Sequence, residues 1–494
     1  MFESAELGHR ISKDVYQEQI PALRESLLDV QFDLQQSRSR RVIVLLAGMD
    51  GAGKGSTVNL LNAWMDPRHI ETHAFDALDP LLAHTPQFQR YWTHMPQLGR
   101  IGIFMGGWYA DLIEAQVRGN LHKGEFDRRI QAIINLENML TRDSTLILKY
   151  WLHLSEKEQA QRMELLEHNP DMSWRVTESG RYQRKHYARY RSVAEHCLRL
   201  TSSGDNPWVI IEGSDERYRN LTLTRHLHDT IKNGLIAPHA NQRIEAAPLL
   251  TPVDQRSILD TLKLDQPMTR QEYAKQLASL QGRLNHLLAS DVFRKKHNLI
   301  LVFEGNDAAG KGGSIRRVTQ ALDARMYRVV PIAAPSEEEK LHPYLWRFWR
   351  ALPETGHLTL FDRSWYGRVL VERVEHFCTP ADWMRAYDEI NQFEHQLAES
   401  GSIIMKFWLA ISEDEQLRRF QEREETGFKR FKITEEDWRN RSKWNDYAQA
   451  VNDMVDRTST QTAPWTLVEA NNKYFARIKI LETLCRFIEH QLDH

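Results

Sequence analysis

The chain is poor in cysteine and has no long apolar run. Its three cysteines, Cys197, Cys378 and Cys485, form no CxxC pair. That excludes a zinc knuckle or a disulfide framework and fits a reducing compartment. No stretch reaches the roughly 18 apolar residues that cross a bilayer, so no membrane partner is expected. The opening Met1-Phe2-Glu3-Ser4 has no basic segment followed by an apolar one. No signal peptide is read there, and a cytoplasmic location is expected. Net charge is also small, −2 over 494 residues. No broad field selects a polyanion, so any basic surface must be local. No nucleic-acid-binding module is recognised, and nucleic acid is not an expected partner.

What the chain does have is a repeat. Lys54 lies in Gly48-Met49-Asp50-Gly51-Ala52-Gly53-Lys54-Gly55, and Lys311 lies 257 residues later in Gly305-Asn306-Asp307-Ala308-Ala309-Gly310-Lys311-Gly312-Gly313. The same offset relates Phe104-Met105-Gly106-Gly107-Trp108-Tyr109 to Phe361-Asp362-Arg363-Ser364-Trp365-Tyr366. It also relates Lys149-Tyr150-Trp151-Leu152 to Lys406-Phe407-Trp408-Leu409, and Pro207-Trp208 to Pro464-Trp465. A constant offset across four distant segments predicts two tandem domains, residues 1–240 and 255–494. Gly234, Pro238, Pro248 and Pro252 punctuate the boundary between Gly234 and Asp254.

Each copy opens on a predicted helix, Lys13 to Gln36 or Arg270 to Ala289. Ile20, Leu23, Leu27, Leu28 and Phe32 recur at helical spacing in the first, and Leu277, Leu280, Leu284 and Leu287 in the second. The runs 42–46 and 299–303 follow, apolar and rich in β-branched residues, as suits strands buried on both faces. Thr145 to Leu152, Ser402 to Leu409, Trp208 to Glu212 and Trp465 to Glu469 read as further strands. Strands alternating with helices predict an α/β fold: a mainly parallel sheet with helices on both faces in each repeat. Trp346, Trp349, Trp365, Trp408, Trp444, Tyr447 and Trp465 sit among apolar or helical-period neighbours and are read as core.

A strand that turns through glycines into a helix gathers backbone N–H groups around one point, at the positive end of the helix. A phosphate suits that point. Glycines let its oxygens approach, and Lys311 adds a mobile charge. Gly305 to Lys311 fits the G-x-x-x-x-G-K pattern in the required strand–loop–helix setting. The usual Ser or Thr, whose hydroxyl helps to hold Mg²⁺, is replaced by Gly312. Asp307 is the candidate replacement, with Asn306, Ala308, Ala309 and Gly313 completing the loop. A glycine turn that merely packs a helix on a sheet is the plainer alternative, and it fits the first copy better than the second.

Residues 357–366 read as a strand ending in Asp362. Mg²⁺ takes one or two carboxylates besides phosphate oxygens. Asp307 and Asp362 could supply them, and Arg363 could stabilise a transferring phosphoryl group. The first copy has Met105 and Gly106 there and can do neither. Its retained Trp108 and Tyr109 suggest a domain kept for packing, assembly or substrate handling. Between Arg418 and Lys443 cations are dense, and most read as a solvated helical face with acidic partners. Gly427 to Lys432 differs, because aromatics alternate there with Lys429, Arg430 and Lys432. With Arg316, Arg317, Arg368 and Arg373 this segment could line a basic channel for a polyanion.

These residues together resemble the polyphosphate kinase 2 family. The resemblance rests on the loop Phe303 to Gly313, the motif Phe361 to Arg368, Lys406 to Ser412, and Arg457 through Trp465. It covers nearly all of 260–490 and, more weakly, 10–235. It implies a thymidylate-kinase-like fold with a helical lid and Mg²⁺-dependent transfer between inorganic polyphosphate and a nucleotide. Lys311, Asp307, Asp362 and Arg363 are the working residues it implies. The two-copy arrangement resembles the subgroup that takes AMP to ADP. A homo-oligomer is implied by likeness alone. Three alternatives stay open: a polyphosphate-dependent kinase making ATP from a diphosphate, an ATP-dependent nucleoside monophosphate kinase, and a non-catalytic polyphosphate scaffold.

Overall fold

The computed structural model describes residues 1–75, 86–237, 257–425 and 433–492. They form two compact units. One holds residues 1–75, 90–237 and 336–343; the other holds 86–89, 257–335 and 344–492. The interval 238–256, where the sequence predicts the boundary, lies outside the described residues.

Each repeat builds one five-stranded sheet. The first uses β1 (Arg41–Gly48), β2 (Ile70–Ala74), β3 (Ile101–Met105), β4 (Thr145–His153) and β5 (Trp208–Glu212), in the order β2-β3-β1-β4-β5. The second uses β6 (Asn298–Gly305), β7 (Tyr327–Pro331), β8 (Leu358–Asp362), β9 (Ser402–Ala410) and β10 (Trp465–Glu469), in the matching order β7-β8-β6-β9-β10. Every pairing is parallel. β1 is buried along its whole length, as are all of β6 but Gly305 and all of β9. That is why their sequences are unbroken apolar runs rather than alternations. The edge strands β2 and β7 are half exposed and mixed in character, so the sequence reading missed both.

The opening helices run Lys13–Ser37 and Arg270–Leu288 and pack on the last helix of their own repeat. Ser12 caps the first, and Thr269 with Glu272 forms a capping box on the second. In the first helix the buried stripe is Leu27, Val30 and Leu34, while Leu28 and Phe32 face solvent at 43% and 60% exposure. The helical period was right, and Leu27 is buried with Ile20 and Leu23 half-buried as expected, whereas Leu28 and Phe32 fall outside the buried face. No helix among the described residues is long and apolar enough to cross a membrane.

Candidate active site

In the C-terminal repeat, β6 and β8 end side by side, with Phe303 paired to Asp362. That register brings the glycine loop and the acidic strand end together at the carboxyl ends of two neighbouring interior strands. The loop leads into the helix Lys311–Thr319 through Gly310, whose φ of +108° suits glycine. Lys311 Nζ donates to Gly305 O at 2.7 Å, which folds the ammonium back over the loop.

Asp307 is bonded to other groups than this lysine. Its Oδ1 accepts from Arg363 Nη2 (3.2 Å) and its Oδ2 from Asn440 Nδ2 (2.9 Å). Asn440 lies on the helix Glu435–Ser442, and its own Oδ1 accepts from Tyr447 Oη at 3.1 Å. From the same helix Glu436 approaches Arg363 at 3.8 Å. Burial alone would lower the Arg363 pKa, but Asp307, Glu304, Glu436 and Asp362 together raise it above its ordinary value. The cation therefore sits at the focus of four carboxyl groups.

Asp362 makes no side-chain hydrogen bond among the described residues. A Cβ on Gly312 would stand 4.0 Å from its Oδ2. The carboxylate thus lies beside the helix start, at the position where the usual loop carries a hydroxyl. No group of three or more His, Cys, Asp or Glu is gathered as a metal site among the described residues. Two carboxylates still fit Mg²⁺, which keeps waters and borrows substrate oxygens. Asp362 lies close to Glu304 and to the Arg363 cation, and its own oxygens are not taken up by side-chain hydrogen bonds among the described residues.

Glu304 is the functional candidate that sequence reasoning missed. It is buried at the end of β6 and accepts from the buried Ser364 Oγ at 2.9 Å. Burial raises its pKa, against the opposing pull of Lys311, Ser364 and Arg363. A carboxyl raised in the folded state contributes stability that is whole below the ordinary glutamate range and is lost as pH climbs through the raised value. Glu304→Gln holds that contribution at every pH. The melting temperature of Glu304→Gln is therefore expected to gain on wild type from pH 4 to pH 8; a constant gap would show Glu304 to be ordinary.

The backbone records the same demand. Arg363 has φ +64° and Ala308 φ +62°, both left-handed, where a side chain costs about 1–2 kcal/mol. Their counterparts in the first repeat are Gly106 and Gly51.

The other predicted cations scatter. Arg316 is exposed. Arg317 Nε donates to Tyr273 Oη at 3.2 Å. Arg368 pairs with Glu372 at 2.8 Å and Arg373 with Asp453 at 2.7 Å, both largely buried. Glu372, one turn on, holds Arg368, and Asp453 on the helix Trp444–Thr458 holds Arg373; neither arginine lines the cavity that contains Asp307 and Arg363. Arg430 and Lys432, with the rest of 426–432, lie outside the described residues. Of the aromatics read as core, Trp444 and Tyr447 are instead half-buried and line a cavity with Asp307, Arg363, Leu370 and Val371.

The first repeat keeps Asp50 and Lys54 at the Asp307 and Lys311 positions but differs at the others. Ala47, Met105, Gly106 and Gly107 replace Glu304, Asp362, Arg363 and Ser364. Lys54 Nζ is paired with Asp50 Oδ1 at 2.8 Å. A Cβ on Gly53 would strike the guanidinium of Arg219, whereas one on Gly310 would meet nothing within 4 Å. Arg219 is 2% exposed, and its counterpart in the second repeat is Ala476.

Comparison with known proteins agrees with this division into repeats. The family model described as polyphosphate kinase 2 (PPK2) matches residues 10–237 and again 267–494. A polyphosphate:AMP phosphotransferase of Pseudomonas aeruginosa is 52% identical over 491 residues, 99% of each chain. One of Pseudomonas syringae pv. tomato is 50% identical over 492 residues, covering 99% of this chain and 98% of the relative. A crystal structure from Pseudomonas aeruginosa, described as a putative polyphosphate kinase 2, superposes with a TM-score of 0.88 at 49% identity, covering 100% of this chain and 99% of the other.

Proposed function

The chain belongs to the polyphosphate kinase 2 family, and from that premise we propose that its C-terminal repeat transfers a phosphoryl group from inorganic polyphosphate to AMP, giving ADP. The observation that carries this reading is the convergence of Glu304, Asp307, Asp362 and Arg363 around the glycine loop, a set of side chains of which the first repeat keeps only the aspartate of the loop. The names of the full-length relatives support AMP as acceptor.

Asp307 and Asp362 would hold Mg²⁺, which would supply charge neutralisation for the phosphates. The loop amides from Gly305 to Gly313 and the Lys311 ammonium bind phosphate oxygens of the donor chain. Arg363, fixed by Asp307, presents its guanidinium to the group in transit. The attacking α-phosphate oxygen of AMP is already anionic at neutral pH, so no strong base is required. Catalysis is then positioning and charge neutralisation. Helix Glu435–Ser442 acts as the lid, with Asn440 reporting closure to Asp307.

The deciding assay supplies purified protein with polyphosphate, Mg²⁺ and either AMP or ADP, without ATP. ADP is expected from AMP, at a rate well above any conversion of ADP to ATP. ATP as the main product would reassign the acceptor. No transfer to either nucleotide, with polyphosphate still bound, would favour a scaffold.

A further inference from the structure

The helix Glu413–Glu425 grips the glycine loop of the C-terminal repeat by its carbonyls. Arg419, buried on this helix, uses all five of its N–H groups. Nη1 donates to Ala308 O (2.9 Å) and Ala309 O (3.1 Å) in the loop. Nη2 donates to Ala470 O (2.7 Å) and Asn471 O (2.9 Å), just past β10. Nε donates to Glu415 Oε1 at 2.5 Å. One planar cation thus ties the loop to the end of the last strand. Gln416, on the same helix, donates from Nε2 to Asp307 O at 3.2 Å. Arg441 Nη1 donates to Gln416 Oε1 at 3.2 Å, which fixes the direction of that amide. Lys311 Nζ takes Gly305 O (2.7 Å) and Asn306 O (3.4 Å). The five carbonyls from Gly305 to Ala309 therefore each meet a side-chain donor.

A backbone nest binds an anion only if its N–H groups face the anion and its carbonyl oxygens, which repel it, face away. Small side chains leave the peptides of such a loop free to rotate. Ala308 moreover stands at φ +62°, a left-handed conformation that persists only where the surroundings hold it. The bond from Arg419 to Ala308 O supplies that hold. The first repeat keeps the residue types but not the grip. Arg162 and Gln159 are the counterparts of Arg419 and Gln416. Gln159 Nε2 still donates to Asp50 O at 3.2 Å. Arg162 Nη2 donates to Ser214 O at 3.2 Å, and the loop carbonyl Ala52 O accepts from Arg219 Nη1 at 3.2 Å. Gly51 replaces Ala308 and takes φ +85° without steric cost. A two-carbonyl grip and a strained alanine therefore occur together, in the repeat that carries Glu304, Asp362 and Arg363.

We propose that Arg419, seconded by Gln416, is a positioning residue for the phosphoryl donor: it acts through the loop backbone, holding the carbonyls of residues 307–309 outward so that the loop amides face a bound phosphate. The identity of that phosphate rests on the functional reading above; the grip itself rests on these hydrogen bonds. An arginine that served the fold alone would lower stability without singling out one substrate.

The test loosens the grip and then relieves the strain. Arg419→Lys keeps the charge, but its donors radiate from one atom and cannot span both carbonyl pairs. Amide hydrogen exchange across residues 305–313 is expected to quicken about tenfold in this variant, with the rest of the repeat unchanged. KM for polyphosphate is expected to rise roughly tenfold, with KM for AMP within about twofold of wild type. Adding Ala308→Gly removes the strained φ and is expected to recover about threefold of that loss. Gln416→Leu removes a single neutral bond, and it is expected to raise KM for polyphosphate about threefold. Arg162→Lys is expected to leave both KM values within about twofold of wild type. A folded Arg419→Lys with wild-type exchange and KM, a loss that Ala308→Gly leaves untouched, or an equal loss in Arg162→Lys would overturn the assignment. Where Arg419→Lys fails to fold, an unchanged KM for polyphosphate in Gln416→Leu would overturn it. A wild-type protein that makes no ADP would overturn the functional reading instead, and the exchange comparison, which needs no ligand, would still decide the grip.

Discussion

Asp362→Asn is expected to reduce ADP formation by about 10³-fold, whereas Lys54→Ala leaves it within about twofold of wild type. The substitution keeps size and fold: the Asp362 side chain makes no hydrogen bond among the described residues, so nothing in the packing depends on its charge. What it removes is the carboxylate beside the loop, and with it the charge that offsets Arg363 and would complete the proposed cation site. Lys54 is in the opposite condition. It is already paired with Asp50. Initial rates of ADP formation from polyphosphate and AMP, with melting curves for both variants, provide the measurement. Equal losses would show that the N-terminal repeat turns over too, and an active Asp362→Asn would remove this carboxylate from the mechanism. Restoring charge to the first repeat is expected to fail for a steric reason. A Cβ at Gly107 would meet Leu45 Cδ2 at 2.7 Å, and one at Gly106 would meet Phe75 O at 3.0 Å. The space has closed along with the loss of the polar groups.

The loop and the strand end were legible in the sequence because few demands besides phosphate and metal binding put glycines and a lysine at that spacing after a buried strand, with a carboxylate closing the next one. The parallel order was legible because strands buried on both faces carry no alternation. Glu304 was not legible, since one acidic residue at the end of an apolar run looks like a solvated strand terminus. Comparing it with Ala47 across the repeat was the signal available, as was comparing Ser364 with Gly107. Asn440 lies 133 residues from Asp307, and no local pattern marks that meeting. Trp444 and Tyr447 read as core because an aromatic at helical spacing gives the same pattern whether it faces packed neighbours or a cavity. The edge strands were lost for a related reason: Tyr327–Pro331 is half exposed and its exposed residues hide the period.

The second large effect is on stability, and it explains what both repeats kept. Lys406 and Glu394 are fully buried. Lys406 Nζ donates at 2.7 Å each to Glu394 Oε2, Tyr366 Oη and Thr458 O, so all three of its protons are used. Glu394 Oε1 accepts from Trp365 Nε1 at 3.0 Å and Tyr366 Oη at 2.7 Å. The first repeat reproduces this with Lys149, Glu137, Trp108 and Tyr109. The shared Trp-Tyr pair is therefore structural, anchoring the chain that follows Asp362 and Arg363. Lys406→Met leaves a buried carboxylate without its cation, a loss of about 3–5 kcal/mol. The unfolding transition of the C-terminal repeat is expected about 10 °C lower by calorimetry. Replacing the pair together, Lys406→Met with Glu394→Leu, is expected to recover much of that loss, because an apolar pair needs no compensation. Lys149→Met is expected to lower the other transition by a similar amount. Because Trp365 and Tyr366 directly follow the working residues, only the Lys406 variant is expected to lose activity below its melting temperature. Two variants equally inactive while folded would mean that the N-terminal repeat is coupled to the chemistry, and an unshifted Lys406→Met transition would mean that the buried pair does not hold the fold.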